Sequence, residues 1–140
     1  MRLAIALCLL ALPVRAGIID KLPGTWGSTL SREDSCPVNP TTIAITGSRI
    51  TFTTPEPGLS YTGAMITTFG GTILHHDDTE LVMQRDAETR RDRRGRLLLW
   101  TMRLDPANGG YCWQNSDEGR SCVAEWFRCG GNLALTFPDS

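Results

Sequence analysis

Through most of this chain, apolar and polar residues alternate with a period of two, in short runs separated by Gly, Pro or Asp breaks. The clearest pair lies at 41–46 and 49–54. Ile43 and Ile45 alternate with Thr and Ala, and Ile50 and Phe52 alternate with Arg49, Thr51 and Thr53. Gly47-Ser48 between them is a two-residue turn signal, so the pair predicts a β-hairpin. Pro55-Glu56-Pro57-Gly58 then breaks the chain. A Thr- and Tyr-rich strand is expected over 59–68, a turn at Gly70-Gly71, a strand over 72–76, a turn at Asp77-Asp78 and a strand over 79–85. The near-continuous apolar run within 96–104 predicts a strand covered on both faces, at least in its first half. Leu133, Leu135 and Phe137 predict a last strand over 132–137. One segment has helical spacing: Cys122, Trp126 and Cys129 fall at i, i+4 and i+7 after Ser121, with Gly130-Gly131 as a stop, so a short helix is expected near residues 121–129. Sixteen threonines and regularly spaced breaks fit a mainly β fold, a small antiparallel barrel or sandwich.

The first sixteen residues follow a different pattern. Met1-Arg2 precedes an apolar run from Leu3 to Val14, which ends in Arg15-Ala16-Gly17. A basic start, a short apolar core and a small-residue site have the form of a secretory signal peptide cut after Ala16. The run is too short for a membrane anchor and carries Pro13. Cys8, inside the run and after Leu7, does not suit a lipoprotein anchor. The expected organisation is therefore a signal peptide at 1–16 and a single disulfide-stapled β domain at 17–140, periplasmic or secreted, with no membrane span once the signal is removed.

Removal of that segment changes two totals. The remaining 124 residues suit one domain, and the net charge moves from −1 to −3, which argues against nucleic acid as a partner. Five cysteines become four: Cys36, Cys112, Cys122 and Cys129. An even number in an exported domain implies two disulfides, with three possible connectivities. A helix over 122–129 would hold Cys122 and Cys129 roughly 10 Å apart, beyond bridging distance. That leaves two connectivities, of which Cys112–Cys122 with Cys36–Cys129 is the expected one. Zinc is disfavoured, since the cysteines do not form CxxC pairs and export favours oxidation.

Gly24-Thr25-Trp26, just after Leu22-Pro23, resembles the Gly-x-Trp signature near the start of lipocalins and the similar opening of avidin-like barrels. The resemblance covers those three residues and the strand count that follows. It implies an antiparallel barrel with the tryptophan plugging one end. The chain is shorter than a typical lipocalin, closer in length to avidin-like or small periplasmic inhibitor barrels. A shared fold does not set a ligand.

Candidate chemistry is sparse. In His75-His76-Asp77-Asp78 the two imidazoles would point to opposite faces of a strand, which leaves a polar strand end running into a turn. Residues 85–96 hold six arginines and three acids and read as a solvated hairpin loop with local ion pairs, or as a positive patch for an acidic ligand. No Gly-x-Ser-x-Gly elbow occurs, so a triad would rest on His75 or His76. Asn39-Pro40-Thr41 is not a glycosylation site. Trp100, Trp113 and Trp126, with Tyr111, are candidates to line a pocket.

The expected function is a non-catalytic binding module. It would hold a small molecule inside the barrel or inhibit an envelope protein with loops at one end, without a cofactor or metal. Trp26, Trp100, Arg93 and Arg94 are its candidate ligand-binding residues. A structural or accessory envelope protein and a small envelope hydrolase are the alternatives. N-terminal sequencing of the exported protein is expected to begin at Gly17, and a start at Met1 would refute the signal peptide.

Overall fold

The computed structural model describes residues 16–119 and 121–131. Most of the expected signal peptide and all of the strand expected at 132–137 lie outside the described residues. A short helix, α1 (Ile18–Lys21), leads into eight strands among the described residues: β1 (Gly24–Ser28), β2 (Thr41–Thr46), β3 (Arg49–Leu59), β4 (Met65–His76), β5 (Glu80–Arg85), β6 (Trp100–Leu104), β7 (Tyr111–Asn115) and β8 (Trp126–Arg128). Each pairs antiparallel with the next, and β1 pairs with β8, closing the barrel. The alternation explains the inside. Ile43, Ile50, Phe52, Leu81, Met83, Met102 and Tyr111 face inward, and each is no more than 2% exposed. Burial contributes roughly 1.5–3 kcal/mol for each large apolar side chain. Thr42, Ala44, Thr46, Thr53, Thr68 and Thr72 occupy the opposite phase and are exposed. This apolar-in, polar-out pattern is the reverse of a lipid-facing barrel.

An up-and-down barrel sends alternate connections to opposite ends. The β2–β3, β4–β5 and β6–β7 connections lie at the end where α1 sits, and the long segments 29–40, 86–99 and 116–125 lie at the other. Ile18 donates its N–H to the Asp77 carbonyl (3.0 Å) in the β4–β5 turn, which holds α1 across the first end. Ile18 and Leu22, both fully buried, fill it from α1. Trp26 packs beneath them, and its Nε1–H donates to the Leu22 carbonyl (2.8 Å). From β8, the Arg128 guanidinium lies 4.6 Å from the Trp26 ring centre and donates to the carbonyls of Pro23 (3.1 Å) and Lys21. Gly24 makes this stacking possible: its φ is +136°, and a Cβ there would lie 2.3 Å from Arg128 Nη1.

The expected hairpin forms at β2–β3, with Gly47 at φ +59°. Three expectations change. Gly70 and Gly71 do not turn the chain; they lie inside β4, paired with Thr51 and Ile50 of β3. They create space instead: a Cβ on Gly70 would meet the Ile50 carbonyl oxygen at 2.6 Å, and one on Gly71 the Gln84 carbonyl oxygen at 2.4 Å. The Pro55–Gly58 break interrupts the ladder rather than the strand, since register shifts between Thr53 and Gly58. Asn39 supplies the missing bonds there. It accepts from the Glu56 N–H (2.9 Å) and donates to the Glu56 carbonyl (3.3 Å). The apolar run from Leu97 enters β6 only at Trp100, because Leu98 is bonded back to Arg90 (2.9 Å) in a small hairpin bridged at Arg91 and Leu97.

The helix expected near residues 121–129 is absent. Residues 126–128 form β8, because β1 needs a partner there: Ser28 pairs with Trp126 and Trp26 with Arg128. Pairing with β1 outweighs the local helical spacing. The disulfides are nevertheless the expected pairs, Cys36–Cys129 and Cys112–Cys122, with Cα atoms 5.4 and 6.0 Å apart. The first ties the β1–β2 loop across Gly27, where a Cβ would meet the Cys36 nitrogen at 2.4 Å. The second supports the β7–β8 junction, whose ladder has one pair, Tyr111 with Trp126. Buried Gln114 adds to that junction by donating its side-chain amide to the carbonyls of Ser121 (2.9 Å) and Gly119.

Arg128→Leu removes the stacked cation and its bonds to the α1 segment, and it is expected to lower stability by about 1–2 kcal/mol. The readout is a lower urea midpoint at unchanged slope, and an unaltered midpoint would show that the arginine does not hold the closed end.

Candidate functional site

Among the described residues, the end opposite α1 opens into a cavity of about 320 Å³. Its wall comes from inward positions near the strand ends. Phe52 and Thr54 come from β3, Ile66 and Phe69 from β4, Arg85 from β5, Tyr111 and Trp113 from β7, and Trp126 from β8. The aromatic rings support one another. Phe52 and Phe69 stack with centres 4.7 Å apart, Phe52 and Trp113 meet at 5.2 Å, and Tyr111 and Trp126 stack at 6.0 Å. Tyr111 also packs nearly perpendicular on Trp26 at 4.9 Å, so the cavity floor rests on the plug. Burial pushes the Tyr111 phenol pKa up. The β1–β2 loop contributes Asp34 and Asn39 to the wall, and the β3–β4 loop contributes Tyr61. Tyr61, whose hydroxyl donates to the Asp86 carbonyl (3.2 Å), also borders a second hollow of about 200 Å³, together with Arg85 and Phe69.

Asp34 and Arg85 are the charged residues of the larger cavity's wall. Arg85 sits on an aromatic shelf, its guanidinium carbon 4.8 Å from the Phe69 ring centre, 5.2 Å from Trp100 and 5.4 Å from Tyr61. Burial lowers its pKa, opposed by the Glu88 charge.

The charged segment behind this shelf is a set of pairs. Arg49 takes Asp86 in a two-pronged bridge. The Glu88 carboxylate is fully buried and accepts from Arg90 Nε (2.8 Å), Arg90 Nη2 (2.9 Å), the Arg90 N–H (3.1 Å) and Trp100 Nε1 (3.1 Å). The Arg90 bonds, and after them Trp100, hold its pKa down at about 2 against the opposing effect of burial. Asp92 accepts from the N–H groups of Arg94 and Arg96 (both 2.9 Å) and pairs with the Arg96 guanidinium (2.9 Å), closing the hairpin tip.

The four residues singled out from sequence are dispersed. Trp26 is 1% exposed in the plug and does not line the cavity. Trp100 stands behind the wall, against Arg85 and Trp113. Arg93 and Arg94 are exposed on the hairpin. The Arg93 N–H reaches Asp117 (2.8 Å), and neither side chain touches the cavity. Tyr111, Trp113 and Trp126 do line it. Phe52, Phe69 and Arg85 were missed as site residues, although the alternation Leu81, Met83, Arg85 places the arginine in the inward phase. His75 and His76 pair with Val82 and Leu81, successive register positions, and both are exposed. The Asp77 carboxylate caps the turn through the N–H groups of Thr79 and Glu80 (both 2.8 Å), which lowers its pKa. Among the described residues, no three His, Cys, Asp or Glu side chains gather where they could hold a metal.

No protein-family model, curated protein or solved structure matches this chain.

Because the folded Glu88 pKa lies below its ordinary value near 4.5, its contribution to stability is complete above about pH 4.5. That contribution falls away as pH drops through about 2. Glu88→Gln is therefore expected to lower the urea midpoint at pH 7 and to flatten its decline between pH 4.5 and 2. Parallel midpoint–pH curves for the two proteins would contradict this assignment.

Proposed function

We propose that this protein is an exported, non-catalytic binding module that holds a small molecule in the open mouth of its barrel. The cavity carries this reading: it is concave, combines six aromatic residues with polar groups such as Asn39, Thr54 and Arg85, and at about 320 Å³ reaches the size range of small-molecule sites. The closed end supports it, because α1, Trp26 and Arg128 fill that end, and the cavity therefore has one mouth. The two disulfides and the apolar segment from Leu3 to Val14 support a periplasmic or secreted location. Among the described residues, no helix is long and apolar enough to cross a membrane. The eight-stranded meander behind Gly24-Thr25-Trp26 supports a lipocalin- or avidin-like relationship.

A second reading, inhibition or capture of an envelope protein by the same end, rests on a separate observation. Leu30, Val38, Leu59, Met65 and Val123, in or beside the loops of the open end, are 51–81% exposed.

The two readings separate with a neutral fluorescent probe, N-phenyl-1-naphthylamine. The probe is expected to brighten on binding and to quench the tryptophans. Thr54→Trp, which fills the mouth, is expected to weaken binding by about tenfold or more. Without any probe binding, and without a small molecule in the native mass spectrum of the exported protein, the small-ligand reading fails.

A further inference from the structure

We infer that the barrel mouth selects a small carboxylate with an apolar, planar body, with Arg85 as the residue that takes the carboxylate. This rests on the reading of the mouth as a ligand site and specifies its chemistry.

The inference follows from how charge is distributed along residues 85–96. Each acid there already has its own arginine: Asp86 has Arg49, Glu88 has Arg90, and Asp92 has Arg96. Arg85 is left over. Among the described residues, no carboxylate lies within 4.0 Å of its guanidinium and none accepts a hydrogen bond from it. Glu88 and Arg90 act on its charge in opposite directions, and Asp34 stands in the same cavity wall outside the 4.0 Å of an ion pair. Glu88 is saturated by four donors. With the Glu88–Arg90 pair neutral as a unit, Arg85 is a positive charge of the cavity wall that has no carboxylate in pairing distance among the described residues.

The setting favours recognition over mere solvation. Phe69, Trp100 and Tyr61 surround the guanidinium and fix its orientation through ring contacts. A cation held by aromatic faces still has its N–H groups free in the guanidinium plane. Those donors form a fork that matches a carboxylate. An arriving carboxylate would also relieve the repulsion between Arg85 and Arg90. The rest of the wall suits a flat body, since Phe69, Trp113 and Trp126 are among the residues that line the same cavity as the cation. Tyr61 lines both hollows and lies over Arg90 at 4.3 Å, so it forms the rim above the arginine.

The test compares two isosteres by tryptophan quenching of the disulfide-intact protein: 2-naphthoate and its neutral amide. The carboxylate is expected to bind about 10- to 100-fold tighter than the amide, the range of one charge-assisted pair. Arg85→Gln should bring the two affinities together, and Arg85→Lys should recover part of the preference. Equal binding of both probes to the native protein would overturn the inference yet leave the ligand site standing. A preference that survives in Arg85→Gln would overturn it too. If neither probe quenches, the reading of the mouth as a ligand site fails with it. The isostere comparison on the native protein decides the matter even if Arg85→Gln does not fold.

Discussion

The contact between Trp26 and Arg128 organises the rest of the molecule. A meander of strands becomes a barrel only when its first and last strands meet, and here they meet where the two side chains stack. Arg128 also bonds to the carbonyls of Lys21, the last residue of α1, and of Pro23 just after it. One residue of β8 thus joins three parts of the chain: the closing strand, the core tryptophan and the segment that blocks the end. Gly24 is required by the same arrangement, since any Cβ would occupy the place of the guanidinium. The cavity depends on this contact at one remove, because Tyr111 rests on Trp26 and Trp126 stacks on Tyr111.

The two ends divide the work. The α1 end has short turns, capped by groups such as the Asp77 carboxylate, and is filled with apolar side chains. The other end has the long connections, the aromatic rings of the cavity wall, and the carboxylates of Asp86, Glu88 and Asp92, each paired with an arginine. In such a division the scaffold can remain fixed while loops and rim residues set what is bound. The arginine-rich segment illustrates the point. Five of its nine charged side chains are held in ion pairs, and of the arginines without a carboxylate among the described residues Arg85 alone lines the cavity.

Much of the architecture was legible because burial on one face of a strand writes itself into alternation. The β2–β3 hairpin, the Asp77-Asp78 turn and the inward phase of β5 follow from it. What was not legible depended on partners distant in sequence. Gly70-Gly71 has the appearance of a turn, yet its role is to admit the neighbouring Ile50 and Gln84 carbonyls. The spacing of Cys122, Trp126 and Cys129 suits a helix locally, and only β1, about one hundred residues earlier, makes the segment a strand. The disulfide pairing was right although the helix that helped to select it is absent. The site was less legible than the fold. Trp113 and Trp126 could be guessed as aromatics, but Arg85 gains its meaning only when the acids around it are seen to be taken.

The thin junction between β7 and β8 carries a consequence for the behaviour of this protein among other chains. A closed barrel has no sheet edge, and edges are where strands of different molecules add to one another. Here the ring closes with one backbone pair at that junction, and Gln114 and the Cys112–Cys122 bridge hold residues 121–125 over the rest. Those two devices act as edge protection. If the bridge were reduced and the segment swung away, β7 would offer unpaired N–H and C=O groups next to the exposed Val123, a template for intermolecular strand pairing. The oxidised state of one short loop would thus decide whether the sheet presents an edge.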